Sequence, residues 1–137
     1  MYDRLLLAVD HSDADRVINA AREMASLTNG EVWVLHIREN EVFGRGGFFA
    51  TETAAQAQSV VEHAAQKLDD AGIKAHYEVR NAIYGRTPHE IVDAARAHDA
   101  DVIVMGSTGR NDLTSLMRGN TAHQVIHLSD RPVLVVR

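Results

Sequence analysis

The stretch VIVMGSTGRNDLTSLMRGNTAHQVI, residues 102–126, decides the fold that the sequence predicts. Its first four residues are apolar and lead directly into Gly106. Short apolar runs of this kind are typical of strands that are buried on both faces of a parallel sheet. Gly109 follows three residues later, and Gly119 precedes a stretch of helical period. The segment therefore reads as a buried strand, a glycine-containing loop and a helix.

Three further apolar runs predict similar strands, at residues 5–9, 32–37 and 133–136. The segments between the runs have apolar residues at helical spacing, which predicts amphipathic helices. Gly30 and Gly72 are placed to end the first two helices, and Ser12 is placed to cap the first. The sequence TPHE, residues 87–90, predicts a third helix with Thr87 as its N-cap and Glu90 reaching back to form a capping box.

Alternating strands and helices predict an α/β fold with a parallel sheet covered by helices on both faces. AHYEVR, residues 75–80, alternates apolar and polar residues, so it should be a half-exposed edge strand. The simplest doubly wound arrangement is then a single Rossmann-like domain, residues 1–137, with five strands in the order 3-2-1-4-5. The last strand forms the other edge, and its bare apolar run at 133–136 predicts a homodimer paired through it.

Composition narrows the classes of function. The 137 residues carry a net charge of −5, without a basic tract, which argues against nucleic-acid binding. The absence of cysteine excludes disulfides and thiolate metal sites. The N-terminal apolar run, residues 5–9, is too short for a signal peptide or a membrane span, so we expect a cytoplasmic protein with no membrane partner.

The segment from residue 38 to residue 52 lacks periodicity and contains all three phenylalanines of the chain. One interpretation is a mobile surface connection. The other is a lid or a docking loop for an unknown protein partner, because exposed aromatic rings are costly in water.

In a doubly wound sheet, ligands bind at the carboxyl ends of the strands where the connections reverse direction. The predicted order places that crevice between the first strand, which ends at Asp10, and the fourth, which runs into Gly106. Glycines at 106, 109 and 119 would let backbone N–H groups approach a phosphate, and a helix terminus after Gly119 would favour an anion. Spacing alone leaves a second interpretation open, in which these glycines serve only as turns.

The sequence GSTGRNDLTSLMRGNT, residues 106–121, resembles the G-x2-G-x9-G-[ST] motif of the universal stress protein family, in its ATP-binding branch. The similarity extends along the chain. LLLAVDHS at 5–12 resembles the first strand of that family, VWVLHI at 32–37 the second, ADVIVMGSTGR at 100–110 the fourth and RPVLVVR at 131–137 the last.

The resemblance implies ATP as the ligand, with Mg²⁺ as a candidate accompanying ion. It implies that the base lies near Val9 and the main chain of Ile37, and the ribose near Asp10, Met105 and Gly106. It further implies phosphate contacts from Gly109, Arg110, Gly119, Asn120 and Thr121. Asn120 departs from the motif, which has Ser or Thr at that position, and Thr121 one residue later can supply the hydroxyl.

No nucleophile with a neighbouring base and orienting group stands out, so the sequence predicts no catalytic residue. Asp10 is interpreted as a ribose or helix-entry residue rather than a metal ligand. His123 and His127 have the spacing of a zinc pair but no third ligand in sequence, so no metal site is predicted.

The resemblance thus implies a nucleotide-dependent regulatory switch in the stress response, with at most slow ATP hydrolysis. One alternative is a dimeric interaction protein of the same fold with a degenerate pocket. An adenylyl-transferring enzyme is a third class, supported by fold analogy alone.

Overall fold

The computed structural model describes residues 1–11, 14–43, 47–50, 52–107 and 121–137, and the side chains of these residues outside 41–49. In chain order the elements are β1 Arg4–Ala8, α1 Ala14–Thr28, β2 Glu31–Phe43, β3 Gly47–Ala50, α2 Ala54–Asp70, β4 Ala75–Ile83, α3 Thr87–Ala97, β5 Val102–Gly106, α4 Thr121–Leu128 and β6 Val133–Val136.

Five of these strands form a parallel sheet in the order β4-β2-β1-β5-β6. This is the doubly wound order 3-2-1-4-5 that the sequence predicts, and it is confirmed. β1 lies at the centre, with β2 on one side and β5 on the other. β4 and β6 are the outer parallel strands, as expected for the alternating segment and the last apolar run.

The two faces of the sheet carry separate apolar cores because side chains alternate along each strand. Leu5 and Leu7 of β1 belong to the core beneath α1 and α2, whereas Leu6 belongs to the core beneath α3 and α4. All three leucines are almost completely buried. Burial of a side chain of this size contributes roughly 1.5–3 kcal/mol, so both faces contribute to the stability of the sheet.

The segment from 38 to 52 contains regular structure, although its sequence shows no period. β2 continues to Phe43, and β3 pairs with it antiparallel in a hairpin. Asn40 pairs with Ile83 of β4 and with Ala50 of β3, so these two strands flank β2 on opposite sides. β3 consequently pairs with the same edge of β2 as β1 does, but with residues of β2 that lie beyond the end of β1. A role of the segment as a lid or docking loop stays a prediction.

The helix ends agree with the predicted glycine stops. α1 ends at Thr28, and Asn29 takes a left-handed conformation with φ 55° before Gly30. A Cβ at Gly30 would lie 2.8 Å from the carbonyl oxygen of Tyr2, so this position requires glycine. Gly72 has φ +79° and follows α2 as predicted. Ser12 lies outside the described residues.

The predicted capping box at α3 is wrong. The N-cap is Arg86, without a side-chain cap, and Pro88 occupies the first turn. The Thr87 hydroxyl instead donates to Glu39 Oε1 at 2.6 Å, because β2 extends far enough to bring that carboxylate to the helix. A capping box does occur at α2, where Thr53 and Gln56 bond reciprocally to each other's backbone N–H groups. Among the helices described, none has the length and apolar character required to cross a bilayer.

Candidate functional site

The crevice between β1 and β5 brings together several residues that the sequence singled out. Leu7 pairs with Val104. Continuing the same register by two residues places Val9 beside Gly106. Ala8 pairs with Leu35, which likewise brings Asp10 level with Ile37. The carboxyl ends of β1 and β5 therefore lie level with the middle of β2.

Backbone bonds hold this edge in place. The Val9 N–H donates to the Leu35 carbonyl at 2.9 Å, and the Ser107 N–H donates to the Val136 carbonyl at 2.9 Å. Val9, Ile37 and Met105 are buried, and Gly106 is half-buried. Val9 packs in the core under α1 and α2, whereas Ile37 and Met105 pack in the core under α3 and α4, so both faces of the sheet are filled here and the backbone at Gly106 remains partly accessible.

Two polar residues of the predicted set are also described. Asp10 is half-buried, and its Oδ1 accepts the backbone N–H of His11 at 2.8 Å. Thr121 is half-buried and is the first residue of α4. Gly109, Arg110, Gly119 and Asn120 lie outside the described residues.

A cluster of His11, His36 and Glu52 lies beside this crevice, and sequence reasoning missed it. His36 Nε2 lies 2.5 Å from Glu52 Oε1, and His11 Nε2 contacts Glu52 Oε2. His36 Nδ1 lies 2.8 Å from the carbonyl oxygen of Val9. The two imidazole rings are nearly perpendicular, with centroids 5.4 Å apart. We call these three residues the His-Glu-His cluster.

Glu52 is the charged centre of the cluster, and its side chain is only 6% exposed. Burial is the largest influence on this carboxyl group and opposes ionisation, but the hydrogen bonds from His11 and His36 and the charges of both rings together outweigh it. The pKa of Glu52 is lowered as a result. The group therefore stands as a carboxylate that accepts from both rings.

The sequence carried one faint sign of this cluster. His36 is the only polar residue in the apolar run at 32–37, and His11 directly follows Asp10. No sequence pattern singles out Glu52, because it lies 41 positions from His11 in the chain and reaches it only through the hairpin of β2 and β3. His123 and His127 lie on the exposed face of α4, with ring centroids 4.6 Å apart.

The sheet order defines a doubly wound α/β protein of the Rossmann-like class. Comparison with known proteins identifies one family within that class. A model of the universal stress protein family matches residues 1–137, and the chain belongs to this family.

Relatives match along the whole chain. Universal stress protein YxiE of Bacillus subtilis is 28% identical over 151 aligned positions, covering all of both chains. The structure of a universal stress protein from Archaeoglobus fulgidus is 28% identical, with a TM-score of 0.76 and full coverage of both chains. A universal stress protein of the same organism in complex with dAMP is 28% identical, with a TM-score of 0.74, and the match covers 99% of this chain and 98% of that one.

Proposed function

We propose that this protein binds an adenine nucleotide, ATP, at the carboxyl ends of β1 and β5 and acts as a nucleotide-dependent regulatory switch in the stress response. The base would lie against Val9 and the main chain of Ile37. The ribose would lie at Asp10, Met105 and Gly106.

The main support for this proposal is the strand register at the switch point of the sheet. This register places Val9 beside Gly106 and Asp10 beside Ile37. Ligands of doubly wound proteins bind at this position. A purine ring can pack against apolar residues and backbone at this position, and the carboxylate of Asp10 can accept from ribose hydroxyls. The complex of the Archaeoglobus fulgidus relative with dAMP supports an adenine nucleotide as the ligand class.

The triphosphate would be held by the glycine motif and the start of α4, through Gly109, Arg110, Gly119, Asn120 and Thr121. Backbone N–H groups at glycines and at a helix N-terminus bind phosphate oxygens, and an arginine adds charge-assisted hydrogen bonds. Mg²⁺ would accompany the phosphates, since it is commonly bound through phosphate oxygens with few protein ligands.

The described part of the site is compatible with slow ATP hydrolysis at most. A general base must be able to reach an attacking water. Glu52, the buried carboxylate beside the crevice, is engaged on both oxygens by His11 and His36. A switch that is reset slowly, or by contact with a protein partner, agrees with this arrangement.

We also propose a homodimer paired through β6. This strand lies at the outer edge of the parallel sheet, and Leu134 on it is 37% exposed. Antiparallel pairing of two copies across a twofold axis would satisfy both strand edges and cover the leucine.

Nucleotide extraction tests the ligand. The purified protein is denatured and the released small molecules are separated by ion exchange, with ATP or ADP expected in near-stoichiometric amount. Binding is then measured by calorimetry for ATP and for adenosine. Arg110→Glu should weaken ATP about tenfold or more and leave adenosine unchanged, because only the phosphates interact strongly with that charge.

The matched control is Arg22→Glu, on the exposed face of α1, which should change neither ligand. If no nucleotide is released and neither ligand binds the wild type, the proposal is wrong. The interaction protein with a degenerate pocket would then be the better account.

A further inference from the structure

The His-Glu-His cluster has the composition and spacing of a metal site. Its three candidate ligand atoms lie within 4.8 Å of one another. His36 and Glu52 are buried, whereas the His11 side chain is 46% exposed. Two imidazole nitrogens and one carboxylate oxygen are a common ligand set for zinc with three protein ligands.

The hydrogen bond between His36 and Val9 prepares His36 for this role. A carbonyl oxygen only accepts, so Nδ1 must carry the proton that it donates to Val9. Nε2 is then the atom available for a metal. Histidines that bind metals usually donate their other ring N–H to a carbonyl or carboxylate, which fixes the ring orientation and raises the basicity of the ligand.

We propose that His11, His36 and Glu52 form a zinc-binding site, with each histidine binding through Nε2 and Glu52 through one carboxylate oxygen. Zinc is favoured over Mg²⁺ because imidazole is a borderline-soft ligand and the site has a single carboxylate. The site adjoins the nucleotide crevice but uses none of the residues assigned to the nucleotide, so it goes beyond the proposed function.

Loading requires only a small rearrangement. With bonds of about 2.0–2.2 Å, ligand atoms around tetrahedral zinc lie about 3.3–3.5 Å apart. Glu52 Oε1 now lies 2.5 Å from His36 Nε2, so the carboxylate would withdraw by about 1 Å. The proton that each Nε2 shares with the carboxylate is released to solvent, and the two N–H···O contacts are replaced by bonds to the ion.

The fourth position of the ion can be supplied from solvent. His11 lines a cleft of about 540 Å³ between α1 and α2, together with Gln56, Ser59 and His63. An ion can therefore reach the cluster along the exposed side of His11, and a water molecule can complete its coordination. Zinc would join the end of β1, the middle of β2 and the segment before α2.

The test titrates the full chain, freed of metal by chelation and of any bound nucleotide, with Zn²⁺ in a calorimeter, and with Co²⁺ in a spectrophotometer. We expect one Zn²⁺ per chain and the intense visible absorption of four-coordinate Co²⁺, with no comparable binding of Mg²⁺. His11→Ala and Glu52→Gln should each weaken Zn²⁺ by about 100-fold or more, beyond the 10–100-fold that loss of an outer-shell partner costs.

The matched control is the double variant His123→Ala and His127→Ala, which removes the exposed pair on α4 and should leave Zn²⁺ affinity unchanged. Circular dichroism checks that each variant is folded. His11 is the first choice because its half-exposed side chain can be truncated with little loss of packing. The proposal is overturned if the wild type binds no Zn²⁺, if folded His11→Ala binds it as tightly as the wild type, or if the α4 double variant loses it.

Discussion

His36 Nδ1 lies 2.8 Å from the carbonyl oxygen of Val9, so a buried side chain of β2 is bonded to the backbone at the end of β1. The same ring contacts Glu52 through its other nitrogen. His36 thus connects Val9, the residue proposed to contact the nucleotide base, to the segment that leads into α2.

Replacing His36 should destabilise the protein strongly. His36→Ala removes both contacts and leaves the buried Glu52 carboxylate with one fewer donor, and loss of one member of a buried charged pair costs about 3–5 kcal/mol. Urea unfolding followed by the fluorescence of Trp33, the one tryptophan of the chain, measures the change. His63→Ala, an exposed histidine on α2, should cost less than about 0.5 kcal/mol. Equal losses in the two variants would contradict the assignment.

The cap of α2 should contribute measurably to stability. Thr53 Oγ1 accepts the Gln56 N–H at 3.0 Å, so Thr53→Ala should lower the free energy of unfolding by about 1 kcal/mol. Ser59→Ala, within the same helix, is the matched control and should change it by no more than about 0.5 kcal/mol. The role of the cap is refuted if Thr53→Ala unfolds at the same urea concentration as the wild type.

Charge at the β6 edge should prevent dimerisation. Leu134→Lys would place ammonium groups in the proposed interface, and light scattering should then report a shift from dimer towards monomer. Ile83→Lys is the matched control, because Ile83 is 54% exposed and lies on β4, the outer parallel strand at the opposite edge of the sheet. If the unmodified protein is already monomeric at micromolar concentration, this interface does not exist.

The sequence predicts the sheet order well because that order follows from local patterns. Apolar runs mark the central strands, the alternation at 75–80 marks an outer strand, and Gly30 and Gly72 mark helix ends. Each of these signals depends on residues that are close in the chain.

The features that were missed depend on contacts between distant segments. The residues of the β2 and β3 hairpin show no regular hydrophobic period in the sequence. Thr87 bonds to Glu39, which lies 48 positions earlier, instead of forming the expected N-cap. The His-Glu-His cluster forms only after the hairpin brings Glu52 back to the end of β1. For the crevice, a resemblance placed Val9, Asp10, Ile37, Met105 and Gly106 at one site, and the register puts them at one edge of the sheet.

Methyl NMR during an ATP titration tests the central claim most directly. Ile37 and Met105 are proposed to adjoin the base and the ribose, and their labelled methyl groups in the core under α3 and α4 report on that position, while Ile73 and Met24 lie at the core under α1 and α2 and serve as internal controls. The account predicts saturable shifts at Ile37 and Met105 with ATP and also with adenosine, and small changes at Ile73 and Met24. Saturable binding of ATP that leaves Ile37 and Met105 unmoved would contradict a nucleotide site at the ends of β1 and β5.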